Sequence, residues 1–78
     1  MDSDKVSPIA KALVERIKAR RKELKITQVA LAEVSQVSFG SVKRFETSGH
    51  ISLKSLIKIA LVLGCEKDLE NLFKERKK

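Results

Sequence analysis

Residues 27–49 read TQVALAEVSQVSFGSVKRFETSG. Apolar residues recur there at helical spacing in two short bursts, separated by the polar pair Ser35-Gln36. Leu31 and Ala32 in the first burst, and Val37, Val42 and Phe45 around the second, have the spacing needed for two helices to share one small core. Thr27 and Ser38 stand where side-chain caps are wanted, because their oxygens accept from first-turn amides that lack an intrahelical partner. These signals predict helices over about 28–34 and, after the Ser38 cap, to about residue 47. Gly49 stops the second, since glycine takes the left-handed conformation at no steric cost. Ala32 is small enough to let the next helix cross closely. The outer side of the second helix then carries small, polar and basic residues that the core does not need.

Working outward, residues 1–6 are polar and read as a flexible N-terminus. Ser7-Pro8 reads as a helix start, with serine as cap and a proline whose missing N–H would be unused in the first turn. Ile9, Leu13 and Ile17, with Val14 alongside, give an apolar side to about residue 22, and Lys11, Arg16, Lys18, Arg20, Arg21 and Lys22 make the opposite side basic. Downstream, Ser52 opens a fourth helix through Leu63, its apolar side formed by Leu53, Leu56, Ile57, Ala60 and Leu63, and Gly64 closes it. A fifth short helix is expected near 67–73, carrying Leu69, Leu72 and Phe73, followed by a basic tail over 74–78. The fold class is therefore all-α: one five-helix domain over residues 7–73, with no strand pattern, repeat or long linker.

Composition narrows the function. The chain has 78 residues, 17 Lys and Arg against 10 Asp and Glu, and a net charge of +7. A single small core is all that length allows, so pairing with a second copy is a natural route to stability. The positive balance favours an anionic partner, nucleic acid first and an acidic membrane surface second. The basic helix lacks the aromatic anchors of a membrane-surface helix. Charge is also segregated: residues 26–50 carry two basic and two acidic side chains, whereas 1–25 carry eight and four and 51–78 carry seven and four. A neutral centre between positive flanks suits base reading in the middle and phosphate attraction on either side. Cys65 is the only cysteine, and no apolar run approaches about 18 residues, so the chain reads as soluble and cytoplasmic, with no membrane partner.

Three blocks carry a family resemblance: RIKARRKELKITQ (16–28), LAEVSQVSFGSVKRFE (31–46) and SLKSLIKIALVLG (52–64). Together they resemble the Cro/cI-type (Xre-type) helix-turn-helix proteins in order and spacing. The resemblance implies a compact domain whose second and third helices form the helix-turn-helix, working as a homodimer on palindromic double-stranded DNA. Residues 38–65 look closest to the small HipB-like repressors that act as antitoxins to HipA-type kinases, which implies a toxin kinase as a further partner. Residue by residue, the resemblance places Phe39, Gly40, Ser41 and Arg44 at base-reading positions. Arg44 is the strongest of these, because a guanidinium can pair bidentately with guanine O6 and N7. It places Thr27, Gln28, Ser38, Lys43, Ser48 and Lys54 on DNA phosphates, and Arg21 with Glu46 as a scaffold ion pair. Leu69, Leu72 and Phe73 offer a dimer surface.

The chain departs from the family at Gln36, where glycine is usual: either Gln36 accepts a left-handed backbone or the turn differs locally. Gly40 reads equally as room for close DNA approach or as a tolerated small residue, and Phe39 either packs on a thymine methyl or folds back on the first helix. His50, the only histidine, has no catalytic spacing around it and reads as a loop residue with at most a minor phosphate contact. Cys65 has no CxxC or Cys/His partner. No cofactor, metal or enzymatic activity is implied. The competing class is a protein-interaction module in which the same fold chiefly holds a partner protein.

Overall fold

Three hydroxyl residues start the three central helices. Thr27 accepts from the Ala30 amide (3.0 Å), Ser38 from Ser41 (3.1 Å) and Ser52 from Ser55 (3.1 Å). Each cap satisfies one first-turn donor and is worth about 1 kcal/mol. The computed structural model describes residues 3–75, with side-chain environments from Val6 onward. The described residues form five helices and no strand: α1 Ser3–Glu23, α2 Gln28–Ser35, α3 Phe39–Ser48, α4 Leu53–Leu63 and α5 Glu66–Glu70. The reading of Met1 and Asp2 as flexible, and of the basic tail from Arg76, falls outside the described residues.

Helix ends are set by left-handed residues. Gly49 (φ 84°) closes α3 and Gly64 (φ 72°) closes α4, with the Cys65 amide reaching back to the Ala60 carbonyl at 2.8 Å. The same device closes α1 at a non-glycine: Lys25 takes φ 59°, and the Ile26 amide bonds the Arg21 carbonyl at 3.1 Å. Between α2 and α3, Gln36 adopts φ 62°, ψ 29°, so the first of the two alternatives at that position is the one realised.

The core joins Leu31 and Ala32 of α2, Val37 in the turn, Val42 of α3, and Ile59 and Leu63 of α4. Leu31, Val42, Ile59 and Leu63 are almost wholly removed from water, each worth roughly 1.5–3 kcal/mol. Phe45 and Ala60 are buried as well, and the partly buried Ile17, Ile26 and Ile51 pack against the cluster. On α1, Val14 is buried, and a Cβ added at Gly49 would lie 3.5 Å from the Ala10 side chain and 3.8 Å from Val14. This contact lays α1 across the end of α3.

Three expectations need correction. The first helix begins at Ser3, not at Ser7-Pro8, and Pro8 lies inside it. Proline's φ is already helical, and near a helix start it deletes a single backbone bond, here the one to the Asp4 carbonyl. The apolar sides of α1 and α4 are also turned from those expected: Ile9, Leu13, Leu53 and Ile57 are exposed, while Ile59 is fully buried. Helix α4 is apolar nearly all round, so packing against α2 and α5 selects the buried side. The fifth helix ends at Glu70, and Leu72 and Phe73 lie beyond it in the following turn.

Candidate nucleic-acid interface

Helix α3 has two faces with opposite assignments. Inward, Glu46 is buried and accepts from Arg21 Nε (2.8 Å), Arg21 Nη2 (3.0 Å) and Gln28 Nε2 (2.8 Å). Arg21 Nη1 donates to the Ile26 carbonyl at 2.8 Å. One bidentate pair thus ties α1, the α1–α2 connection, α2 and α3 together. Burial pushes the Glu46 carboxyl up, but the hydrogen bonds from Arg21 and Gln28, with the charges of Arg21 and Lys18, outweigh it and hold it below the ordinary carboxylate range.

Outward, Phe39, Gly40, Lys43 and Arg44 are exposed and Ser41 is half-buried. Neither Lys43 nor Arg44 has a side-chain hydrogen bond or ion pair among the described residues, so both cations face solvent uncommitted. A Cβ placed on Gly40 would meet nothing within 4 Å, so packing inside the protein does not require glycine there. Ser38 donates its hydroxyl proton to Ser41 Oγ at 2.8 Å while accepting from the Ser41 amide. This relay leaves the Ser41 proton as the outward donor of the pair.

Other residues read from the sequence are distributed around this row. Thr27 caps α2, whose first-turn amides at Gln28 and Val29 precede the first intrahelical bond, from Leu31 to the Thr27 carbonyl (2.9 Å). The Gln28 side chain is turned inward to Glu46, leaving its second amide hydrogen for other use. The Ser48 hydroxyl donates to the Arg44 carbonyl at 2.8 Å, and Thr47 does the same to Lys43. Lys54 is exposed in the first turn of α4. Leu69, Leu72 and Phe73 stand apart, in α5 and the turn after it.

A cleft of about 270 Å³ joins α3 to the start of α4, lined by Ser41, Arg44, His50, Ile51, Ser52 and Ser55. It brings Arg44, His50 and the Ser41 hydroxyl together with two hydroxyls, Ser52 and Ser55, at the N-terminus of α4, an arrangement matched to an oxyanion. The sequence places the first turn of the fourth helix on the DNA backbone and Ser52 as its cap, without singling out Ser55. Their three-residue spacing, beside the lone histidine, was the available signal.

The family described as "Helix-turn-helix" matches residues 17–69, most of the chain. No curated protein and no solved structure matches. No described helix is long and apolar enough to cross a membrane. Five helices, with α2 and α3 crossing over a shared core and an outward row of uncommitted cations, agree with that match. The chain belongs to the Xre/Cro-cI-type helix-turn-helix family of DNA-binding transcription regulators.

Proposed function

We propose that this protein is a repressor that binds an inverted-repeat operator as a homodimer, each copy laying α3 in the major groove of double-stranded DNA. The observation that carries this reading is the outer row of α3, where Arg44 and Lys43 are exposed without partners among the described residues while the other face of the helix is locked by Glu46. Arg44 and Ser41 read base edges, Phe39 packs on an apolar base edge, and Gly40 lets the helix backbone come close. Arg44 contributes roughly 1–3 kcal/mol of discrimination through a bidentate guanine contact. Thr27, Gln28, Lys43 and Lys54 hold the two strands' phosphates and set the register without reading sequence, and the Ser38 and Ser48 hydroxyls join them on releasing their bonds to Ser41 and the Arg44 carbonyl. The cleft at Ser52, Ser55 and His50 adds a phosphate seat beside the recognition helix. Two copies paired through Leu69, Leu72 and Phe73 present their helices to successive major grooves about 34 Å apart.

The test is competition between operator and random duplex. Arg44→Ala should lose selectivity while keeping its fold and most of its non-specific binding; unchanged operator preference in that variant overturns the assignment. A second reading adds a HipA-type kinase as partner. It is supported by the resemblance of residues 38–65 and by the exposed Val6, Ile9 and Leu13, which give α1 an apolar surface that the described residues leave uncovered. Co-purification with a kinase encoded beside this gene supports it, and failure of the two proteins to associate removes it.

A further inference from the structure

Two surfaces of this chain complement each other, and neither is covered by the described residues of one copy. On α4, Leu53, Ile57 and Leu61 fall four residues apart and therefore form one row along the helix. Leu53 is 70% exposed and Leu61 57%. Lys54 and Lys58 form the adjacent row, and α4 contains no carboxylate. The other surface is α5 with its following turn. Leu72 is 54% exposed and Phe73 93%, the latter held at φ 63°, a backbone region that bulky residues seldom occupy. Around them Asp68 and Glu70 are exposed, and residues 66–75 hold four carboxylates against two lysines in a chain of net charge +7. Among the described residues, Lys58, Asp68 and Glu70 form no ion pair.

An apolar row edged by lysines and an apolar turn edged by carboxylates match in both polarity and charge. We propose that the α4 row is covered by residues 66–73 of a second copy, and reciprocally, so that the dimer contact is α4 against α5 twice over. Leu72 and Phe73 of each copy cover Leu53, Ile57 and Leu61 of the other, while Asp68 and Glu70 meet Lys58. A two-fold axis relates the two contacts, as an isologous interface requires. This pairing rests on the homodimer reading above and supplies the receptor for its Leu69, Leu72 and Phe73 surface. It differs from a contact of α5 with α5, which would set like carboxylates against each other.

The experiment is sedimentation equilibrium of the full chain without DNA. Wild type should form a dimer of two 8.8 kDa chains, and Leu61→Asp and Phe73→Asp should each raise the dissociation constant about tenfold or more. Mixed in equal amounts, the two variants should associate better than either alone, because the heterodimer retains one intact α4–α5 contact. Lys58→Glu should weaken the dimer, and adding Asp68→Lys with Glu70→Lys should restore it. A wild type that stays monomeric at about 1 mM, a dimer indifferent to Leu61→Asp and Phe73→Asp, or no recovery in the mixture and the charge swap overturns the pairing. Binding of Leu61→Asp to a half-site duplex is read separately. If wild type dimerises yet binds no duplex, the DNA reading fails and the pairing stands.

Discussion

The two faces of α3 differ in what they are committed to. The inner face ends in Glu46, whose carboxylate accepts three hydrogen bonds from Arg21 and Gln28 at 2.8–3.0 Å. The outer face presents Lys43 and Arg44 with no partner among the described residues. One helix therefore carries a rigid mount and an unsatisfied surface two positions apart in the chain, at Glu46 and Arg44. A recognition element needs this division, since side chains that read a ligand must be held in register by residues that do not touch it. Substitutions on the two faces should separate stability from binding.

The largest expected effect is on the mount. Glu46→Ala leaves Arg21 charged and buried, and breaking such a pair costs about 3–5 kcal/mol. That is a large share of the roughly 4–12 kcal/mol expected for a chain of this size. Urea unfolding should show the loss, and a cost below about 1 kcal/mol would put the pair in the class of surface bridges and contradict its role. The pH dependence follows with a definite sign. Because the Glu46 carboxyl is held below its ordinary value of 4.5, its contribution to stability is fully present above that pH and is lost as pH falls through the lower, folded-state value. Acidification below about pH 4.5 should destabilise wild type, and Glu46→Gln should show a shallower acid slope; an unchanged slope would mean that another carboxylate dominates.

On the outer face the effects move from stability to binding. Arg44→Ala should cost roughly 1–3 kcal/mol of operator discrimination with less than about 0.5 kcal/mol change in stability. Lys54→Ala should weaken binding about evenly across sequences and lower the salt slope by roughly one. A sequence-selective loss at Lys54 would move that residue from the phosphates to the bases. The smallest effect lies in the turn that joins the two helices. Gln36 sits at φ 62°, so Gln36→Gly relieves a left-handed side chain worth about 1–2 kcal/mol, less the entropy glycine loses on folding, for a net gain below about 1 kcal/mol. A destabilised Gln36→Gly would show that the Gln36 side chain makes a contact that outweighs the strain.

Much of the fold was legible because it rests on local chemistry. Thr27, Ser38 and Ser52 cap the helices that their hydroxyls announce, and Gly49 and Gly64 end the ones before them. The burial of Leu31, Val42 and Phe45 follows from spacing alone. What escaped the sequence is decided by tertiary packing. Helix α4 has apolar residues on every side, so its periodicity did not show that Ile59 would be buried and Leu53 left in water. Pro8 suits a helix start and an early helix interior almost equally, and Lys25 gives no signal of the left-handed conformation it adopts. At the candidate interface, residue type indicated hydrogen-bonding capacity but not direction. Gln28 turns its amide inward to Glu46, and Ser38 and Ser48 spend their protons on Ser41 and the Arg44 carbonyl. The cleft that gathers His50, Ser52 and Ser55 exists only once α3 and α4 are set side by side.

Selection of binding sites from random duplex DNA by the purified protein asks at once whether α3 reads sequence and whether two copies act together. The expected outcome is enrichment of an inverted repeat with half-sites about 34 Å apart along the helix axis, with the enriched bases changed by Arg44→Ala. Recovery of no common sequence, or of the same sequence with Arg44→Ala as with wild type, would contradict it.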